Sequence, residues 1–179
     1  MFTEIEAKLK VDSLQKVEEK LQQLGARFVA EQLQSDILFD DSNSTLTISD
    51  RCLRLRRQVV GESKGYFLTY KGAKEKSKYK KRQEIEIEIG NTDSMQKLLS
   101  ALGYEQKLYI EKKRRLWRLG GCEIALDRLQ ELGDFVEIEG PDDKQIANVQ
   151  ESLGLADLPH IPKSYASMIM EKTKSAKSK

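Results

Sequence analysis

Residues 83–89 read Gln-Glu-Ile-Glu-Ile-Glu-Ile, a strict alternation of carboxylate and isoleucine. A period of two puts every second side chain on one face of an extended strand, so the stretch predicts a strand with one acidic and one aliphatic face. Residues 3–9 (TEIEAKL) and 52–58 (CLRLRRQ) follow the same pattern. Less regular strands are expected at 32–39, 65–71, 108–119, 122–127 and 135–139, bringing the number to about eight, which closes a small barrel. The predicted fold is α+β, an eight-stranded antiparallel barrel with helices packed on the outside.

The helices decide which way the charges point. A strand of alternating Glu and Ile ordinarily turns its Glu to water. Helical periodicity at Leu14, Val17, Leu21 and Leu24, at Met95, Leu98, Leu99 and Leu102, and at Ile146, Val149 and Leu153 gives three amphipathic helices, each needing an apolar surface to cover. The first is opened by Asp12 or Ser13 and the second by Thr92; each stops at a glycine, Gly25, Gly103 or Gly154. If they cover the Ile and Leu faces, the charged faces turn inward. TEIEAKLKVDSLQKVEEKLQQLG, QEIEIEIGNTDSMQKLLSALG and FVEIEGPDDKQIANVQESLG share this plan of Glu-x-Glu strand, capped turn and helix ending in Leu-Gly.

The charged faces also keep their sign. Glu4 and Glu6, then Arg54 and Arg56, then Glu84, Glu86 and Glu88 are like-charged neighbours about 6.6 Å apart along one face, and they repel unless compensated. Opposite-sign strands supply part of the compensation. A ligand with both signs supplies the rest: phosphate oxygens for the bases and a divalent cation for the carboxylates. Without His or Cys in the cluster the cation is a hard one, Mg²⁺ or Mn²⁺.

Composition narrows the setting. The 179 residues suit one domain, expected over 1–172 with a disordered basic tail at 173–179. The 31 basic and 29 acidic residues leave +2, which argues against a nucleic-acid-coating protein. No apolar run approaches the ~20 residues of a membrane span, and residues 1–10 do not form a signal peptide, so a cytoplasmic protein, monomer or homodimer, is expected. Cys52 and Cys122 read as free thiols, Trp117 and the aromatics Tyr66, Phe67, Tyr70 and Tyr79 as core, His160 as a surface residue, and 74–81 (KEKSKYKK) as a solvated loop.

Glu4-Ile5-Glu6-Ala7-Lys8 resembles the Glu-x-Glu-x-Lys motif of the CYTH domain, the triphosphate tunnel metalloenzyme fold. The likeness continues in order through Arg54-x-Arg56, Lys71, Arg82-x-Glu84-x-Glu86, Lys112-x-Arg114, Asp127, Glu137-x-Glu139 and Ser164-Tyr165. The run from Asp127 to Glu139 is most similar to the class IV adenylyl cyclase branch. By that resemblance Glu4, Glu6, Glu137, Asp127 and Glu139 would hold one or two divalent ions. Lys8, Arg54, Arg56, Lys71, Arg82, Lys112, Arg114 and Tyr165 would contact phosphates, and Glu84 and Glu86 would support them. Lys8, Glu6 and Glu137 would serve catalysis, Lys8 activating water if other cations surround it. Both parities of KKRR at 112–115 are basic, so choosing Lys112 and Arg114 rests on the family alone. The implied activity is metal-dependent cleavage of a triphosphate, with ATP cyclisation favoured over hydrolysis of an inorganic, thiamine or nucleoside triphosphate; a non-catalytic polyphosphate sensor is the further alternative.

Overall fold

The computed structural model describes residues 2–177. Eight strands, β1 (Phe2–Lys10), β2 (Arg27–Asp40), β3 (Cys52–Val60), β4 (Ser63–Lys71), β5 (Lys80–Glu88), β6 (Glu105–Leu119), β7 (Cys122–Leu129) and β8 (Gly133–Glu139), close a barrel in the order β1-β5-β4-β3-β2-β6-β7-β8. Every neighbouring pair is antiparallel, and closure leaves no open edge. All eight expected strands are present, most of them longer than the alternation alone suggests.

Helices α1 (Leu14–Gln23) and α4 (Asp143–Ser152) cover the outward faces of β1, β7 and β8. Leu14, Val17 and Leu21 of α1, with Ile146 and Val149 of α4, bury against Ala7, Leu9, Ile124, Leu126, Val136 and Ile138. Each such aliphatic side chain contributes about 1.5–3 kcal/mol on leaving water. That covering fixes the parity of the strands, because Glu4, Glu6 and Lys8 alternate with these core residues and must face the lumen.

The repeated plan is visible in the caps. Ser13, Asn91 and Asp142 accept hydrogen bonds from Lys16 N, Ser94 N and Gln145 N at the starts of α1, α3 (Thr92–Ala101) and α4. At the other end, Gly25, Gly103 and Gly154 take left-handed φ of +71°, +87° and +71°, which spares them the Cβ clash any other residue would meet there. Asn91, one residue before the expected Thr92, opens α3 because its carboxamide oxygen accepts from the backbone N–H of Ser94 three residues on, while Thr92 already belongs to the helix.

Three expectations need correction. The aliphatic face of β5 is only half covered, with Ile85 and Ile87 41% and 50% exposed, because α3 packs through Leu99 and Met95 onto Phe39, Leu53, Leu55 and Leu68 of β2, β3 and β4 instead; Leu98 and Leu102 stay exposed. Lys80 and Lys81 belong to β5 rather than to a solvated loop, and Tyr79 is buried. The last helix, α5 (Tyr165–Lys177), runs through residues 173–177 of the expected tail; Thr173 and Ser175 back-bond to Ile169 and Glu171, and residues 178 and 179 lie outside the described residues. A short α2 (Thr45–Ile48), too brief to show periodicity, hangs on the buried Asp40 carboxylate, which accepts from Leu46 N and Thr47 N.

Helix α5 closes one end of the barrel. Its Tyr165 and Ile169 pack on Ile110, Leu129 and Phe135, which share the inward parity of Lys112, Asp127 and Glu137. Ser164 caps it through Ser167 N at 3.1 Å.

Candidate functional site

The lumen is a cavity of about 350 Å³ whose wall is mostly charged, with apolar side chains such as Leu38, Leu53, Ile110 and Met170 among the acids and bases. Strand alternation delivers Glu4, Glu6 and Lys8 from β1, Asp36 from β2, Arg54 and Arg56 from β3, and Lys71 from β4. Lys80, Arg82, Glu84 and Glu86 come from β5, Lys112 and Arg114 from β6, and Glu137 and Glu139 from β8. Taking this many charges out of bulk water is costly unless they are paired, and nearly all of them are.

Glu4 accepts from Lys71 at 2.7 Å and Arg82 at 3.1 Å, and Lys71 also reaches Glu84 at 2.5 Å. Burial alone would raise the Glu4 carboxyl, but Lys71, Lys80 and Arg82 hold it well below the usual carboxylate range. Glu6 takes Lys80 at 2.7 Å. Asp36 and Arg56 form a two-pronged pair, both contacts 2.7 Å, that keeps the Asp36 carboxyl well below its ordinary value against the opposing effect of burial. Lys8 lies 3.2 Å from Glu137 and 3.8 Å from Glu6, donates to the Lys163 carbonyl oxygen at 3.2 Å, and sits 4.1 Å from the centre of the Tyr165 ring.

Asp127 occupies the bottom of this arrangement with no exposed surface. Arg114 donates to both its oxygens at 2.7 and 2.6 Å, Lys112 to one at 2.9 Å, and the Tyr165 hydroxyl to the same one at 3.0 Å. Arg114 also bonds Glu137. The cations expected around Lys8 gather instead around Lys112, whose pKa is brought down to about 8 by burial first and then by Arg114 and Arg56, against Asp127 and Glu137.

Two groups stand outside this pairing. Arg54 reaches Thr69 at 3.1 Å and Glu86 at 3.4 Å, has Asp36 and Glu84 only at 4.0 Å, and leaves its buried Nε without any partner. Glu139 has no ion-pair partner among the described residues. It lies in register with Glu6 on one side and Glu123 on the other, placing carboxylates on adjacent strands side by side. Partial burial and then Glu4, with Glu6 and Glu84 adding to it, push its carboxyl up to about 7 although Lys71 opposes them.

The CYTH domain family matches residues 3–165 of this chain. The chain belongs to the CYTH domain family. The relative MJ0240 of Methanocaldococcus jannaschii, which carries the name of an adenylate cyclase, is 33% identical over 148 residues, 83% of this chain and 80% of that one. The solved structure of PH1819 from Pyrococcus horikoshii superposes with a TM-score of 0.82 at 29% identity, covering 94% and 99% of the two chains. HpAC1 from Hippeastrum, described as an adenylyl cyclase with a dominant triphosphatase activity, shares the fold at TM-score 0.71 and 16% identity over 94% and 96%.

In this CYTH domain the expected basic residues Lys8, Arg54, Arg56, Lys71, Arg82, Lys112 and Arg114 share one lumen with Glu4, Glu6, Glu84, Glu86, Glu137 and Glu139. Lys113 is exposed and Arg115 pairs with Glu18 of α1 outside, so the barrel selects the parity that composition left open. The oxygens of Asp127 accept from Arg114, Lys112 and Tyr165, which makes it an anchor of the basic side chains. Two lumen residues were not foreseen. Asp36 is hidden by the mixed parity of QLQSDILF, and Lys80 by the lysines around it; its alternation with Arg82 and Glu84, and register opposite Glu6, were the available signals.

The carboxylates fit a hard divalent ion in kind, as oxygen donors without His or Cys among them. Among the described residues no three converge on one point, since Glu4 and Glu6 are turned onto lysines. The stranded Glu139 beside them marks where positive charge is lacking.

Proposed function

We propose that this CYTH domain binds a divalent metal with a triphosphate in its lumen and cleaves it, with ATP cyclised to cyclic AMP and pyrophosphate as the preferred reaction. The observation that carries the reading is one lumen that brings Lys8, Arg54, Lys71, Lys112 and Arg114 together with Glu4, Glu6, Glu137 and Glu139, with the buried Arg54 Nε left without a hydrogen-bond partner. Glu4, Glu6 and Glu139 would hold Mg²⁺ or Mn²⁺, with Glu137 next to them in register with Lys8. When bound, the ion lowers the pKa of the attacking hydroxyl and offsets charge on the leaving phosphates.

The chain's own residues do the rest. Arg54, Lys71, Lys112 and Arg114 fix the phosphates in line, and Asp127 holds the last two in place. Lys112, its pKa brought down to about 8, still carries most of its charge at neutral pH and can contact phosphate there. Helix α5 limits water entry at its end of the barrel.

Hydrolysis of the terminal phosphate is the second reading. The same cage would serve water as well as a ribose hydroxyl, and a fold neighbour is described as chiefly a triphosphatase. The experiment offers ATP and tripolyphosphate with Mg²⁺ or Mn²⁺ and identifies the products. Cyclic AMP with pyrophosphate establishes the cyclase, orthophosphate the hydrolase, and turnover of neither sinks both in favour of a binding module.

A further inference from the structure

Beside the lumen lies a second cavity of about 100 Å³, enclosed by residues 74–80 on one side and by His160, Ile161 and Pro162 on the other. The two cavities share Glu6, Lys8, Lys74 and Lys80. The Lys80–Glu6 ion pair, 2.7 Å long, therefore stands as a partition between them. A side chain pair can swing aside where backbone cannot, so the partition is a passage through the wall of the barrel.

The outer wall is built rather than accidental. Tyr79 is buried in the core and stacks on His160 at 5.0 Å between ring centres, and the Lys78 ammonium lies 5.2 Å from the Tyr79 ring centre. The Gln150 amide nitrogen donates to the Leu155 carbonyl oxygen at 3.0 Å, which turns its own oxygen toward His160 Nε2 at 3.0 Å; that nitrogen must then carry the proton. Among the described residues no carboxylate lies within ion-pair distance of Lys78, in contrast to Lys74, which is paired with Asp50. A cation on a fixed aromatic platform, facing a cavity that communicates with a phosphate-binding lumen, lacks a counter-ion.

We propose that this side cavity is a site for a small inorganic phosphate anion, orthophosphate or pyrophosphate, that leaves the lumen past the Lys80–Glu6 pair and is received by Lys78. Its volume equals roughly three water molecules at ~30 Å³ each, room for a compact oxyanion and too little for a nucleoside. Lys8, Lys74 and Lys80 line both cavities and outnumber Glu6, the carboxylate that also lines both, while Glu75 lines the side cavity alone, so an anion passing between them has a cation within the wall on either side. His160 reports on the site. Burial and the Lys78 charge hold its imidazole below the ordinary value, and an anion at Lys78 would cancel the second effect and raise it.

The origin of the anion rests on the reading of the lumen as a triphosphate-cleaving site; the anion site does not. His160 is the sole histidine of the chain, so its imidazole protons give isolated NMR signals. Orthophosphate and pyrophosphate are titrated separately, without metal, into the wild-type chain and into Lys78→Glu, while tripolyphosphate binding to both is measured by calorimetry. The expected result is a saturable shift of the His160 signals, with apparent affinity lower by at least about tenfold in Lys78→Glu, and tripolyphosphate binding unchanged. Whichever of the two anions moves the signals more tightly identifies the product received. Signals that stay still with both anions, or move equally in Lys78→Glu, overturn the proposal. Loss of tripolyphosphate binding in the wild type with the His160 shift intact would refute the lumen reading and leave the side site standing.

Discussion

Replacing Asp127 by Asn separates an anchor of cations from a metal ligand. The substitution keeps the shape and removes one negative charge from a fully buried position that faces Lys112, Arg114 and the Tyr165 hydroxyl. Arg114 cannot shed its proton and loses charge-assisted bonds worth about 1.5–3 kcal/mol, although Glu137 remains to it. Lys112 can escape by deprotonating; from a pKa of about 8 that costs at most about 1.4 kcal/mol at pH 7. The sum, about 2–4 kcal/mol, overlaps the range for breaking a buried pair on one side and corresponds to a melting temperature lower by roughly 10 °C for a chain of this size. Asp127 is held below its ordinary pKa, so its contribution is present above about pH 4 and fades as pH falls through the lowered value; the gap between variant and wild type should narrow in acid. The assay is thermal unfolding from pH 3 to 8 together with Mn²⁺ titration in the presence of tripolyphosphate. Wild-type stability in the variant, or a Mn²⁺ affinity lower by about tenfold or more with stability unchanged, would refute the anchor assignment.

Arg54→Ala should weaken tripolyphosphate binding by about 2 kcal/mol, near thirtyfold, with little loss of stability because its internal contacts are long; Arg56→Ala should instead destabilise the fold by about 3 kcal/mol or more, as Asp36 is left buried and alone, and calorimetry paired with thermal unfolding reads both. Glu139→Gln should raise the Mn²⁺ concentration needed for turnover while stabilising the metal-free chain. Since the Glu139 pKa is raised from 4.5 to about 7, the native state holds the extra proton in that window, so the stability gain should open between those pH values and stay level above them; a variant less stable at pH 8 contradicts the carboxylate crowding. Bound phosphate favours the Lys112 ammonium, so tripolyphosphate affinity should hold at pH 7 and fall by up to about tenfold per pH unit above pH 8, and Lys112→Arg should flatten that fall; equal profiles would remove Lys112 from the contact.

The barrel was legible because period-two alternation and period-3.6 helices are local signals, and the helices' need for a surface set the parity of β1, β7 and β8. The same reasoning overreached on β5, where Ile85 and Ile87 carry the cleanest alternation yet stay half exposed, since which strands a helix covers is a matter of chain connection and not of periodicity. Site residues were legible where sign and parity coincide, as in Glu4 and Glu6 or Arg54 and Arg56. Asp36 and Lys80 escaped because their neighbours mask the alternation, and the bonds of Asp127 to Lys112, Arg114 and Tyr165 were not legible because pairing across a barrel is a three-dimensional fact.

The pairing has a consequence for how a metal-bound triphosphate would enter. Lys71 and Lys80 now neutralise Glu4 and Glu6. Phosphate drawing these lysines away would leave two buried carboxylates uncompensated beside Glu139, at a cost that a divalent ion removes. Metal alone faces the converse difficulty, because the lysines it displaces have no anion to meet. Each ligand thus prepares the other's place, and by linkage the factor by which metal tightens phosphate equals that by which phosphate tightens metal. On this reading the lumen's matched charges would exchange one set of counter-ions for another, and the Arg54 Nε and Glu139 are groups that start without a partner within the chain among the described residues.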